Sequence, residues 1–192
     1  HINDLTEYNN LIICATDGGL LIYDNYQNSF STLTVVDQLK GTAINVVEVG
    51  KDSLVWLGGV SPNGFVQIYD VNNYQSIAQF DFGLTEIIDI STTDSICFVA
   101  FLDNQDWGLM EFIFSNNEWI YRDTYRNWPI SFDLLNSIEI SDEKVFIGTD
   151  QGLLIGNWKD LNLKDPNNWN QFETELFGEV YLIDSDTNNI LL

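Results

Sequence analysis

The chain has 192 residues, 45% hydrophobic and 14% aromatic, enough for a globular core and well outside the range of a disordered tract. Its 29 Asp and Glu outweigh 7 Lys and Arg, and a formal charge of −22 repels phosphate backbones and anionic lipid surfaces, so nucleic acid is not an expected partner. No apolar run reaches the roughly 18 to 20 residues needed to span a bilayer, the N-terminus lacks the basic and apolar regions of a signal peptide, and no membrane insertion is expected of this stretch.

The polar residues are largely Asn, Asp, Ser, Thr and Gln, which favour turns over helices. Gly19, Gly64, Gly108 and Gly152 return at intervals of 45, 44 and 44 residues, each at an expected turn between two short β-type runs. That period, with four strand-like runs per unit, predicts an all-β fold, a β-propeller of four-stranded antiparallel blades.

In chain order, the first blade (1–40) has expected strands at 2–7, 11–15, 20–23 and 30–34, and the second (41–84) at 44–49, 54–57, 65–69 and 76–80. The third (85–133) follows at 87–90, 96–101, 109–114 and 119–124, and the fourth (134–176) at 138–140, 144–147, 153–156 and 169–172. A further blade starts in 177–192, with runs at 180–183 and 190–192. First strands alternate apolar and polar residues, as in Ile44, Val46 and Val49, whereas second strands such as Val55-Trp56-Leu57 and Cys97-Phe98-Val99 read as covered on both faces. A small residue recurs in the second strand (Ala15, Gly58, Ala100, Gly148), which implies close packing against the backbone there.

About 4.5 blades are present, which closes no ring, and the chain starts at His1 and ends in the strand-like Ile190-Leu191-Leu192. The expectation is a segment of a larger propeller whose further blades are its partners. Cys14 and Cys97 fall in apolar strands of non-adjacent blades, so two buried thiols are expected rather than a disulfide.

The runs Leu11-Ile12-Ile13-Cys14-Ala15-Thr16-Asp17-Gly18-Gly19-Leu20 and Val145-Phe146-Ile147-Gly148-Thr149-Asp150-Gln151-Gly152-Leu153 resemble the two-component-regulator propeller repeat. Tyr23-Asp24, Tyr69-Asp70 and Trp56-Leu57-Gly58 match other parts of that pattern, while Ser61-Pro62-Asn63 and the turn from Asp103 to Trp107 depart from it. The resemblance implies an extracytoplasmic setting, periplasmic or at the cell surface. Similar repeats form sensor regions of hybrid histidine kinases that recognise an oligosaccharide breakdown product, the propeller component of the type IX secretion attachment complex, and exported surface proteins.

No catalytic residues are expected. The one histidine is His1, no Cys–His or Ser–His pairing is evident, and HExxH and Walker-type runs are lacking. Propeller lyases of the streptogramin type use a histidine that these residues do not supply. The run Asp184-Ser185-Asp186-Thr187-Asn188-Asn189 has the D-x-D-x-N start of a calcium loop, with Asp184, Asp186 and Asn188 as ligands, but lacks the glycine and the closing acid. The same place in the other repeats holds ordinary hairpin turns, so a turn is the first reading and calcium the lesser alternative, and no other cofactor is implied.

The binding candidate lies at the third blade, where the loop between second and third strands and the connection to the next blade open on one face. These hold Asp103, Asp106 and Trp107, then Arg122, Tyr125, Arg126, Asn127 and Trp128, bringing the only two arginines together among aromatics. Arg can grip a carboxylate and aromatic faces stack on sugars or apolar side chains; alternatively the arginines pair with acids and the tryptophans pack between blades. The fourth-blade stretch from Trp158 to Trp169 reads as a solvated excursion capped by tryptophan packing on the opposite face. Function is therefore expected to be non-enzymatic binding of a carbohydrate or protein partner, with a structural or assembly propeller as the alternative.

Overall fold

A computed structural model describes residues 1–50, 54–61, 63–173, 178–185 and 190–191. Four antiparallel four-stranded sheets follow one another along the chain, as the period predicts. The first blade is β1 (Ile2–Tyr8), β2 (Leu11–Thr16), β3 (Gly19–Asp24) and β4 (Ser29–Leu33). The second is β5 (Ile44–Val49), β6 (Leu54–Gly59), β7 (Gly64–Asp70) and β8 (Gln75–Leu84). The third is β9 (Glu86–Thr92), β10 (Ile96–Asp103), β11 (Asp106–Ser115) and β12 (Glu118–Tyr125). The fourth is β13 (Leu135–Ser141), β14 (Lys144–Thr149), β15 (Gly152–Asn157) and β16 (Trp169–Glu173), after which β17 (Asp184–Ser185) pairs with β18 (Ile190–Leu191).

The recurrent Thr-Asp-x-Gly turn has a physical origin in the first and fourth blades. Thr16 Oγ1 donates to the Gly19 carbonyl at 2.8 Å and accepts from the Gly18 amide at 3.0 Å, and Thr149 does the same with Gly152 and Gln151 at 2.9 and 3.1 Å. Gly19 and Gly152 have φ of 116° and 114°, a region that side chains rarely adopt. Gly108 departs from the expected turn position. The third blade turns at Asn104 and Gln105, with Asn104 at φ 60°, and Gly108 lies inside β11 opposite Phe101, whose ring occupies the space a side chain would need.

The recurrent small residue in the second strand marks blade stacking. A Cβ on Gly58 would come within 2.5 Å of Ile87 on β9, and one on Gly148 within 2.8 Å of Val180. Apolar side chains fill the spaces between successive blades. Ile13, Leu20, Val55 and Tyr69 lie between the first two, and Trp56, Val99, Met110 and Phe112 between the second and third. Phe98, Leu109, Ile147 and Trp169 lie between the third and fourth, and Phe146 and Leu153 meet Val180 and Ile183 beyond. Burial of this kind is worth about 25 cal/mol per Å² of apolar surface and is the main force holding the blades in register. Cys14 and Cys97 are buried free thiols.

Inner strands are stitched across blades by polar side chains. Each carries a register shift near its start, the mark of a β-bulge that re-aims side chains. Asn3 and Asn136 donate to the carbonyls of Ile44 and Val180 at 2.8 and 2.9 Å, and Asn45 donates to Glu86 at 2.6 Å. One expectation fails here: 180–183 forms no strand ladder, because Val180 donates its amide to Thr149 of β14 and the hairpin begins only at Asp184.

Candidate functional site

The β10–β11 turn and the connection 126–134 come together at one end of the third and fourth blades. Asn104 anchors the turn by donating its amide to Thr85 Oγ1 at 2.8 Å. Arg126 Nη2 donates to Asp103 Oδ2 at 2.9 Å, and its guanidinium lies 4.7 Å from the centroid of the Phe101 ring, a cation–π geometry. Trp107 Nε1 donates to the Asp133 carbonyl at 3.0 Å, and Trp128 Nε1 donates to the Trp107 carbonyl at 3.1 Å. Trp128 also meets Trp169 edge-on at 5.3 Å and Phe132 at 5.8 Å. The result is an open groove of about 410 Å³ lined by Gln105, Asp106, Trp107, Arg126, Asn127, Trp128, Ile130, Ser131 and Phe132.

Asp106, Trp107, Arg126 and Trp128 thus line one groove, and Asp103 holds Arg126 from behind. Arg122 and Tyr125 do not join them. Both belong to β12, where the register slips between Glu111 and Phe112 so that Arg122 has no partner of its own on β11. The slip aims Arg122 at Glu111, which is 1% exposed, and Tyr125, paired with Leu109 on the same face, reaches it diagonally: Arg122 Nη1 donates to Glu111 at 2.9 Å and the Tyr125 hydroxyl at 2.5 Å. Burial pushes the Glu111 carboxyl above its ordinary range, against the opposing pull of Tyr125 and Arg122. Burial and the Glu111 carboxylate also push the Tyr125 phenol up. This trio is a clip inside one blade, and only one of the two arginines serves the groove.

Sequence reasoning missed Gln105, Ile130, Ser131 and Phe132, which carry no motif and join the groove only because 126–134 folds back over the β10–β11 turn. It also missed a second cavity, of about 400 Å³, lined by Asp4, Glu48, Asp89, Glu139 and Asp184 from five successive inner strands. The available signal was an acid in the first strand of each successive repeat, at no fixed position within it.

Of the calcium candidates, Asp184 accepts the amide of Ser185 at 2.7 Å, whereas Asp186 and Asn188 lie outside the described residues. Among the described residues no three His, Cys, Asp or Glu side chains are grouped to hold a metal ion. The long fourth-blade loop, expected on the opposite face, instead reaches the groove connection: Trp169, which caps the loop by donating to the Leu163 carbonyl at 3.0 Å, meets Trp128, and Asn127 donates to the Lys164 carbonyl at 3.3 Å, while Lys159 pairs with Glu143.

Among the described residues no helix is long and apolar enough to cross a membrane. No family model and no curated protein matches the chain. Its fold is similar to the extracellular domain of a hybrid two component system from B. thetaiotaomicron, at TM-score 0.71 and 16% identity over 98% of this chain and 26% of that one. It is also similar to the RRP9 WD40 repeats, at TM-score 0.70 and 13% identity over 95% of this chain and 53% of that one. The computationally designed Ika4 protein matches at TM-score 0.60 and 13% identity, over 82% of this chain and 91% of its own. The chain spans about a quarter of that extracellular domain and about half of the RRP9 repeats. At these identities the likeness is one of fold, and the fold is a β-propeller.

Proposed function

We propose that the chain is a non-enzymatic, extracytoplasmic propeller domain that binds a carbohydrate or protein partner in the groove between its third and fourth blades. The observation that carries this reading is the groove itself: two half-buried tryptophans with their indole N–H groups tied to backbone carbonyls, beside a guanidinium fixed by Asp103 and Phe101. Rings pinned in this way lose little freedom when a ligand stacks on them, which is how a preformed apolar site gains affinity. Similarity in fold to the extracellular domain of a two component system supports the setting. The test is a binding screen of the purified chain against glycans and candidate proteins, repeated with Trp107→Ala, Arg126→Ala and Trp128→Ala. Loss of a detected ligand in at least two folded variants supports the reading; retention in all three overturns it.

A second reading, a structural or assembly propeller, is favoured by the same hydrogen bonds, since Arg126 and both indoles already have partners within the chain. It predicts that the three variants lower stability and leave partner binding unchanged.

A further inference from the structure

The cavity between the inner strands gathers carboxyl groups with no countercharge. Asp4 comes from β1, Glu48 from β5, Asp89 from β9, Glu139 from β13 and Asp184 from β17, and no Lys, Arg or His is among its described lining residues. Ser91 donates to Glu139 at 3.0 Å and Ser185 also donates to Glu139, and the neutral side chains of Asn3, Asn45, Asn136 and Ser137 line an adjoining cavity with Asp4 and Asp89. Two neutral thiols back the cluster, Cys14 behind Asp4 on β2 and Cys97 behind Glu48 on β10.

The carboxyls also hold blade to blade. Asp4 accepts the amides of Leu5 at 2.8 Å and Val47 at 2.9 Å, and Asp89 accepts those of Ile90 at 2.8 Å and Ile138 at 2.7 Å, so each spans its own blade and a following one. Glu48 has only the backbone amide of Val49 against three acidic neighbours.

We propose that these carboxyls make the inner strands a proton-sensitive seam, which packs when its acids share protons and loosens as rising pH removes them. Burial first, and then Glu139, Asp89 and Asp4, push Glu48 up to about 8. Burial pushes Asp89 up to about 7, with Asp4 and Glu139 adding to the rise and the two amides opposing it. Asp4 is raised by burial as well. The unfolded chain releases these protons near pH 4 to 4.5. Between there and about pH 8 the native state therefore binds more protons than the unfolded one, and stability falls as pH rises.

The test is urea unfolding of the full chain from pH 5 to 9, with Glu48→Gln as the probe, because that change is isosteric and removes no bond between blades. The expected result is a folding constant that drops about tenfold or more between pH 6 and 9 in the unaltered chain, with most of the drop missing in the variant. Infrared difference spectra should show a protonated-carboxyl band at pH 6 that fades by pH 9 and is weakened by Glu48→Gln. A flat profile for the unaltered chain, or an equal drop in the variant, overturns the proposal. Asp94→Asn, on an exposed turn away from the cavity, should leave the drop intact.

Discussion

In the groove, the guanidinium of Arg126 has Asp103 at 2.9 Å and the Phe101 ring beside it, and the aromatic walls are tied down by backbone carbonyls. In the inner cavity, acids from five strands face one another and only amides and hydroxyls answer them. Both places are lined by side chains from successive blades, yet in one the guanidinium has a carboxylate partner, while the other has charge of one sign that only protons relieve. Paired charges make local structure less sensitive to pH than like charges gathered in one cavity.

The largest expected effect comes from removing the groove's central ring. Trp128→Ala should cost about 3 kcal/mol in urea unfolding, because the indole fills space against Trp169 and Phe132; a cost below about 1 kcal/mol would mean that the groove wall is not part of the core. Asp89→Ala should cost about 2 kcal/mol at pH 5, where the amides of Ile90 and Ile138 lose their acceptor, and less at pH 9, where a repelling charge goes with it. Equal costs at both pH values would break the contrast between cavity and groove.

Smaller changes separate the two arginines. Arg122→Ala removes one of two partners from the buried Glu111 and should cost about 1 to 2 kcal/mol while leaving groove binding untouched. Arg126→Lys should change stability by less than about 1 kcal/mol, since its pair is partly exposed and a lysine can still reach Asp103. It should nevertheless weaken a groove ligand about tenfold, because a lysine cannot reproduce the planar fork held against Phe101. If the two variants exchanged these phenotypes, Arg122 rather than Arg126 would be the ligand contact.

Blade architecture was legible because it rests on local chemistry. A Thr that bonds its own turn, a glycine with φ near 115° and apolar runs of strand length are short-range features that recur visibly in the chain. The small residues at Ala15, Gly58, Ala100 and Gly148 imply close backbone packing in the sequence alone, and at Gly58 and Gly148 what packs there comes from the next repeat, Ile87 of β9 and Val180 just ahead of β17.

What the linear chain by itself determined, then, is the repeat, its strands and the end of the blades where Asp106, Trp107, Arg126 and Trp128 meet. Only the tertiary structure decided that Arg122 turns away to Glu111, because a one-residue slip in register moves a side chain to another face and nothing in its neighbours announces the slip, and that Tyr125 meets the same carboxylate from across the ladder. It decided equally that acids about 45 residues apart share one cavity. Nothing in the sequence around any one of them announces the others, and their repulsion exists only once the inner strands of five successive units are brought side by side.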